Sequence, residues 1–215
     1  MTDLLSLLRA NPYPGRGIVV GNGTVYYFIM GRSENSRNRV FETTEDGIRT
    51  RAFDESRVSD PSLIIYHPVR RTEQGLIVTN GDQTDTIRDF LLRGQSFADA
   101  LMTRKFEPDA PHYTPRISAL LRADGSFDLA ILKHAGDGRC VREFFSYEGA
   151  DAGCGRFLST YAGDGSPLPT FSGEPIEVAL AEPEAVWDAL NAENKVALYA
   201  NVNGKITLFN KNLED

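Results

Sequence analysis

The chain has 215 residues, of which 41% are hydrophobic and 25% charged, and its formal net charge is −7. A chain of this length can bury a sizeable core, and its acidic balance argues against nonspecific binding of nucleic acid. Cys140 and Cys154 are too few for a disulfide framework and fit no metal-ligand spacing. We therefore expect both to be small buried hydrophobic residues.

The sequence contains no pattern typical of membrane insertion or secretion. Residues 1–16 lack a basic start, and their apolar run is too short for a signal peptide. No run approaches the roughly 18 apolar residues of a membrane span. These patterns predict a cytoplasmic protein without a membrane partner.

The N-terminal third predicts a short helix followed by hairpins. Residues Thr2 to Ala10 form the helix, with Thr2 as its N-cap, and the proline- and glycine-rich residues 11–15 end it. Asn22-Gly23 is a strong hairpin turn signal. It joins the predicted strands Gly17–Gly21 and Val25–Met30.

The remaining elements are mostly short strands bounded by turn residues. Strands are predicted at Val40–Thr43, Ile48–Phe53, Ser62–Val69, Leu76–Thr79, Ile117–Arg122, Phe127–Lys133, Arg139–Tyr147, Ile176–Leu180, Val196–Val202 and Lys205–Phe209. Helices are predicted at Thr84–Leu92, Ser96–Thr103 and Pro183–Asn191. With no repeat or linker, we expect one α+β domain spanning residues 1–215, with antiparallel sheets packed face to face under outer helices.

An arginine-rich loop at residues 31–39 connects two apolar strands. It carries three arginines and two asparagines, which are donors suited to phosphate or carboxylate oxygens. A solvated hairpin loop is the alternative interpretation, because charged loops are ordinary surface features.

Two further segments are candidate parts of a site. Residues 80–85 form a polar turn before a helix, a place that favours anions, although plain N-capping by Asp82 or Thr84 explains it equally well. Residues 105–116 hold three prolines among acidic, aromatic and basic side chains. Proline lowers the entropy cost of holding such side chains in place.

Four strings of residues together resemble the archaeal-type IMP cyclohydrolase family. They are Tyr27–Ser33 with Asn38-Arg39, Thr79–Asp85, Asp109 with Tyr113–Ile117, and Tyr161–Gly163 with Pro167–Pro169. The resemblance runs in order from about residue 11 to 175. It implies a four-layer αββα sandwich like that of the N-terminal-nucleophile hydrolases.

The resemblance also implies a reaction, the dehydrative closure of a formamidoimidazole carboxamide ribonucleotide to IMP without metal or organic cofactor. Such a reaction needs a group that moves a proton, donors for the formyl oxygen and a site for the 5′-monophosphate. The expected catalytic residues are Glu107, Tyr66 and Arg116. The expected substrate-binding residues are Arg32, Ser33, Asn38, Arg39, Asn80, Asp82, Asp109 and Tyr113.

Several alternatives stay open at this point. In the alternative interpretation, Glu107 is a surface carboxylate, Tyr66 is a core residue and Arg116 is one partner of a salt bridge. His112 is a second candidate for the catalytic base. His67 and His134 are expected to be structural. Two alternative functions for the whole chain are a nonenzymatic nucleotide-binding protein and an amidohydrolase with Thr2 as its nucleophile. The expected partner is a small nucleotide, and a homo-oligomer is left open.

Overall fold

The structure is a computed structural model that describes residues 1–58, 61 and 63–214. These residues form a mixed α+β fold with two mostly antiparallel sheets, as the hairpin signals predict. The strands are β1 (Thr2–Asp3), β2 (Arg16–Gly21), β3 (Thr24–Met30), β4 (Arg39–Thr43), β5 (Gly47–Ala52), β6 (Val69–Thr72), β7 (Gly75–Thr79), β8 (Arg116–Leu121), β9 (Phe127–His134), β10 (Cys140–Tyr147), β11 (Cys154–Ser159), β12 (Ile176–Ala179), β13 (Lys195–Val202) and β14 (Lys205–Asn210). The α-helices are α1 (Leu4–Ala10), α2 (Glu34–Arg37), α3 (Gln83–Leu92), α4 (Phe97–Met102) and α5 (Pro183–Ala189).

The two sheets differ in how the chain passes through them. The first has the order β1-β12-β11-β2-β3-β13-β14, so it joins strands from both ends of the chain. Its β1–β12 pair is parallel, whereas its other neighbours are antiparallel. The second sheet has the order β10-β9-β8-β7-β6-β5-β4, which is a meander of consecutive strands. Short hairpin connections account for this simple path.

Three apolar layers hold the helices and sheets together. On β2, Ile18 and Val20 pack towards the second sheet, whereas Val19 faces the layer shared with α1 and α5. On β8, Ile117 packs between the sheets and Leu120 faces α3 and α4. Because successive side chains of a strand point to opposite faces, each sheet has one face on the common core and one under helices.

The N-terminal helix begins later than predicted, and Thr2 does not cap it. Thr2 lies in β1, and the Asp3 carboxylate accepts a 2.8 Å hydrogen bond from the Ser6 N–H. The cysteine prediction is also wrong, because Cys140 and Cys154 are both partly exposed.

The strand predicted at Ser62–Val69 is wrong, and β1 and β11 were not predicted as strands. Ser62 lies outside the described residues, residues 63–68 form turns, and β6 begins only at Val69. The backbone of Tyr66 instead forms two hydrogen bonds with Thr50. Its N–H donates to Thr50 Oγ1, and its carbonyl accepts from the Thr50 N–H, each at 2.8 Å. Of these two strands, β11 starts within a glycine-rich stretch typical of a loop.

Candidate active site

Charged residues meet where several strands begin or end. Arg16 begins β2, Arg39 begins β4 and Arg116 begins β8. Antiparallel pairing aligns the start of β2 with the end of β3, and the start of β8 with the end of β7. The segments that carry the sequence motifs therefore emerge at the same end of their sheets.

A cleft of about 390 Å³ opens at this end. Its lining combines cations, hydroxyl groups and aromatic rings from the loops before β2, after β3, before β8 and after β11. These residues are Tyr13, Arg16, Arg32, Ser33, Ser36, Asp109, His112, Thr114, Tyr161 and Leu168. Such a mixture suits an anionic ligand that also carries a flat ring.

Behind the cleft, Arg39 is a buried cation without a full set of partners. Its side chain is 0% exposed, and its Nε donates to the Ser36 carbonyl at 2.9 Å. Both terminal nitrogens lack a hydrogen-bond partner among the described residues. Burial, followed by repulsion from Arg16, lowers the pKa of Arg39. A buried guanidinium of this kind favours an incoming anion or a group that gains negative charge.

Two tyrosine hydroxyls lie beside the arginines. Tyr27 on β3 and Tyr66 from the segment before β6 share a hydrogen bond of 2.8 Å between their hydroxyl oxygens. Both residues are buried, and burial raises the pKa of Tyr27 well above its ordinary value. Tyr27 therefore remains neutral near pH 7, and the hydrogen-bonded pair places O–H groups beside the arginines.

Glu107 is the buried carboxyl group of this region. It is 6% exposed, and burial raises its pKa to about 7 although Arg116 and Arg16 act in the opposite direction. Its backbone N–H donates to the Thr114 carbonyl at 2.9 Å, which closes the proline-rich loop. A carboxyl that titrates near neutral pH can both accept and return a proton.

Arg116 is held at the start of α3. Its Nη1 lies 2.8 Å from the Asp82 carboxylate and donates to Gln83 Oε1 at 2.6 Å, while Nε has no partner within the described residues. A Cβ at Gly81 would lie 2.7 Å from Gln83 Oε1 and also collide with Arg116 Nη1. Glycine at position 81 therefore lets the guanidinium reach this place.

The other predicted binding residues divide between the cleft and its support. Arg32 lines the cleft over the Tyr13 ring, 4.8 Å from its centroid, and pairs with Asp164. Ser33 lines the cleft and caps α2 by accepting a 3.2 Å hydrogen bond from the Ser36 N–H.

Asn38 and Asn80 use their side-chain amides on the backbone. Asn38 donates to the Asp54 carbonyl at 2.7 Å and accepts from the Asp54 N–H at 2.8 Å. Asn80 donates to the Pro115 carbonyl at 2.9 Å and accepts from the Ile117 N–H at 2.8 Å. Both side chains fix the loops that carry the charged groups.

Residues 109–113 shape the stiff loop. Asp109 lines the cleft and accepts a 2.7 Å hydrogen bond from the Thr114 N–H. Tyr113 has φ of 45°, and its ring stacks on His134 at 4.4 Å between centroids. His112 lines the cleft. The structure thus brings His112 to the cleft, and it gives His134 the structural contact expected of it.

Sequence analysis missed Arg16 and Tyr27. Arg16 lines the cleft and donates from Nη1 to the Met30 carbonyl at 3.1 Å. An arginine before an apolar strand resembles an ordinary strand end, so its only signal is its place directly after the Gly15 turn. Tyr27 begins one of the strings that resemble the family, but its place in a continuous apolar run indicates a buried strand residue, so it was given no role of its own.

The described residues offer neither a cluster of metal ligands nor a membrane-spanning helix. No group of three or more histidine, cysteine, aspartate or glutamate side chains there could hold a metal ion. Likewise, no helix in that part of the chain is long and apolar enough to cross a membrane. The exposed Thr2 lies on β1, at the edge of the first sheet.

Comparison with known proteins points to one family. An IMP cyclohydrolase of Haloarcula marismortui is 30% identical over 119 residues, which are 53% of this chain and 57% of the relative. IMP cyclohydrolases of Methanosphaera stadtmanae and Methanopyrus kandleri are 29% and 32% identical over 132 and 116 residues. These matches cover 58% and 50% of this chain, and 65% and 58% of the relatives. The chain thus spans less than two thirds of the length of each of these relatives. A family model described as "IMP cyclohydrolase-like protein" matches residues 13–206, and the chain therefore belongs to this family.

Proposed function

We propose that this chain is an IMP cyclohydrolase, which closes a 5-formamidoimidazole-4-carboxamide ribonucleotide to IMP with loss of water. The observation that carries this proposal is the buried carboxyl of Glu107, with a pKa of about 7, in the same region as Arg39, whose two terminal nitrogens have no hydrogen-bond partner among the described residues. The names of the archaeal relatives support the same activity. In reverse, water opens a cyclic amidine, so the activity falls among hydrolases of that class.

The proposed chemistry has two steps. First, the carboxamide nitrogen attacks the formyl carbon, and the Glu107 carboxylate accepts a proton from that nitrogen. Negative charge develops on the former formyl oxygen, where Arg39 and the hydroxyl of Tyr66 supply donors. Then Glu107 returns that proton to the oxyanion, which becomes a hydroxyl group. The hydroxyl leaves as water with the proton of the former formamide nitrogen, and the C=N bond that forms completes the aromatic ring of IMP. Holding both groups in contact also lowers the barrier, because the attack is intramolecular.

We assign the phosphate to the mouth of the cleft. Arg32 is 36% exposed in its side chain and lines the cleft with Ser33, which suits a hydrated dianion. In this proposal Asp82 and Asn80 act indirectly, through Arg116 and the residue 115–117 backbone. Asp109 and Tyr113 likewise shape the loop that carries Glu107.

Two structural proposals accompany this function. The layers of helix, sheet, sheet and helix, with a cleft at one end, support kinship with the N-terminal-nucleophile hydrolase fold. The first sheet joins β1 and β2 with β13 and β14, which supports one domain across the chain. Thr2 has no place in the proposed mechanism, since it lies exposed on an edge strand.

A direct assay tests the function. The purified protein is incubated with the formamido ribonucleotide and a chelator at pH 7.5, and IMP is followed by its absorbance. We expect IMP from the wild type and from Glu148→Gln, an exposed control carboxylate, but not from Glu107→Gln. Equal turnover by Glu107→Gln would refute the assignment of the proton acceptor. Binding of IMP without any turnover would instead favour a nucleotide-binding protein.

A further inference from the structure

The C-terminal strap, defined as residues 210–213, binds the backbone on both sides of Arg39. Asn210 accepts from the Phe41 N–H at 2.6 Å and donates to the Phe41 carbonyl at 3.1 Å. Asn212 donates from Nδ2 to the carbonyls of Arg37, at 2.8 Å, and Arg39, at 3.2 Å. Two asparagine amides thus bind backbone groups of Arg37 and Arg39 in the arginine-rich loop and of Phe41 in β4.

These contacts lie on the free edge of the second sheet. β4 is the last strand of that sheet and pairs only with β5 among the described strands. In an antiparallel pair, alternate residues direct their backbone groups away from the neighbouring strand. Arg39 and Phe41 are such a pair of alternate residues, so the strap supplies the partners that β5 does not.

Polar contacts, more than apolar burial, hold the strap in place. Leu213 remains 56% exposed, so it adds little to a core. Lys211 donates from Nζ to the carbonyls of Ala192, at 2.6 Å, and Glu193, at 3.2 Å. The strap therefore ties the arginine-rich segment to the loop before β13, and its hydrogen bonds set the position of β4.

Arg39 depends on its backbone for its position. Its side chain makes one hydrogen bond among the described residues, from Nε to Ser36, and its terminal nitrogens make none there. When β4 shifts, a single side-chain hydrogen bond among the described residues therefore opposes the movement of the guanidinium. Misplacing a group by about 1 Å can cost roughly 100-fold in rate.

We propose that Asn210 and Asn212 are positioning residues that hold Arg39 in the active site. This inference rests on the proposed function of Arg39 as a donor to the developing oxyanion. Both residues lie beyond the family match, which ends at residue 206. The strap is therefore a feature that the family assignment does not describe.

The first test needs no turnover. Phenylglyoxal modifies accessible arginines, and peptide mass spectrometry then reports labelling at Arg39, which is 0% exposed in this structure. We expect Asn212→Ala to raise labelling of Arg39 about tenfold, and Asn210→Ala to raise hydrogen exchange at the Phe41 amide by a similar factor. Leu213→Ala is the matched control within the strap and should change neither. If both asparagine variants show the same Arg39 labelling and the same Phe41 amide exchange as the wild type, the proposal is overturned.

The second test links position to catalysis. With the formamido ribonucleotide, each asparagine variant should lose about 10- to 100-fold in kcat with KM within about twofold, because the oxyanion contact is made in the transition state. Asn212→Gln, which keeps the amide donors, should recover part of the loss. A rise in KM with unchanged kcat would overturn the positioning role. If the wild type forms no IMP while Arg39 labelling still rises in the variants, the proposed function fails and the structural role of the strap stands.

Discussion

Replacing Glu107 with glutamine should strongly lower kcat and stabilise the protein at alkaline pH. Its carboxyl has a pKa of about 7 in the fold against 4.5 for an ordinary glutamate. Between these values the folded state binds the proton that the unfolded state has released, so wild-type stability falls as the pH rises through this window. At about 1.36 kcal/mol per pKa unit, ionised Glu107 costs about 3 kcal/mol at pH 8. Glutamine carries no charge and avoids this cost.

Chemical denaturation of both proteins between pH 4.5 and pH 8 measures the difference. We expect equal free energies of unfolding near pH 4.5, and a variant more stable by about 3 kcal/mol at pH 8. Turnover of the wild type should rise with pH through about pH 7, as the carboxylate forms, and the variant should lose about 100- to 10,000-fold in kcat. If the free energies of unfolding of the wild type and the variant differ by the same amount at every pH in this range, the pKa of Glu107 is not raised.

Three further substitutions separate catalysis, binding and support. Tyr66→Phe removes one hydroxyl of the tyrosine pair and should lower kcat about 10- to 100-fold with nearly unchanged KM; unchanged kcat would exclude the hydroxyl as a donor in the transition state. Arg32→Ala should raise KM about tenfold with kcat retained, because it removes a contact to the phosphate in the ground and transition states. A loss confined to kcat would move Arg32 into the chemistry. Asn38→Ala should lower the free energy of unfolding by about 1–3 kcal/mol, since the Asp54 N–H loses its acceptor and the Asp54 carbonyl loses one of two donors, the other being the Arg57 N–H. Its KM should stay near that of the wild type, and a large KM change would contradict a supporting role.

Turn chemistry made the hairpins predictable. Asn22-Gly23 joins β2 to β3 as expected, and Asn203-Gly204, a turn of the same type in sequence, joins β13 to β14. Gly23 and Gly204 have φ of 66° and 87°. Glycine reaches such angles without strain, so the signal is local and survives without tertiary information.

Long-range partners explain the failures. The apolar segment before Val69 bonds to Thr50, which no periodicity reveals, and β11 is stabilised by β2 and β12 despite its glycine-rich start. The site shows the same division. Glu107 could be predicted because it lies in the proline-rich loop at residues 105–116. Arg16 could not, because only folding brings it close to the other site residues.

The tyrosine pair also has a consequence for folding kinetics. Tyr27 belongs to the first sheet, and Tyr66 lies in the segment that leads into the second. Arg16 likewise comes from the first sheet, and Arg39 from the second. An intermediate with only one sheet formed would hold half of these groups and should have no activity. Recovery of turnover during refolding would therefore report the docking of the two sheets, a late event that far-ultraviolet circular dichroism does not isolate.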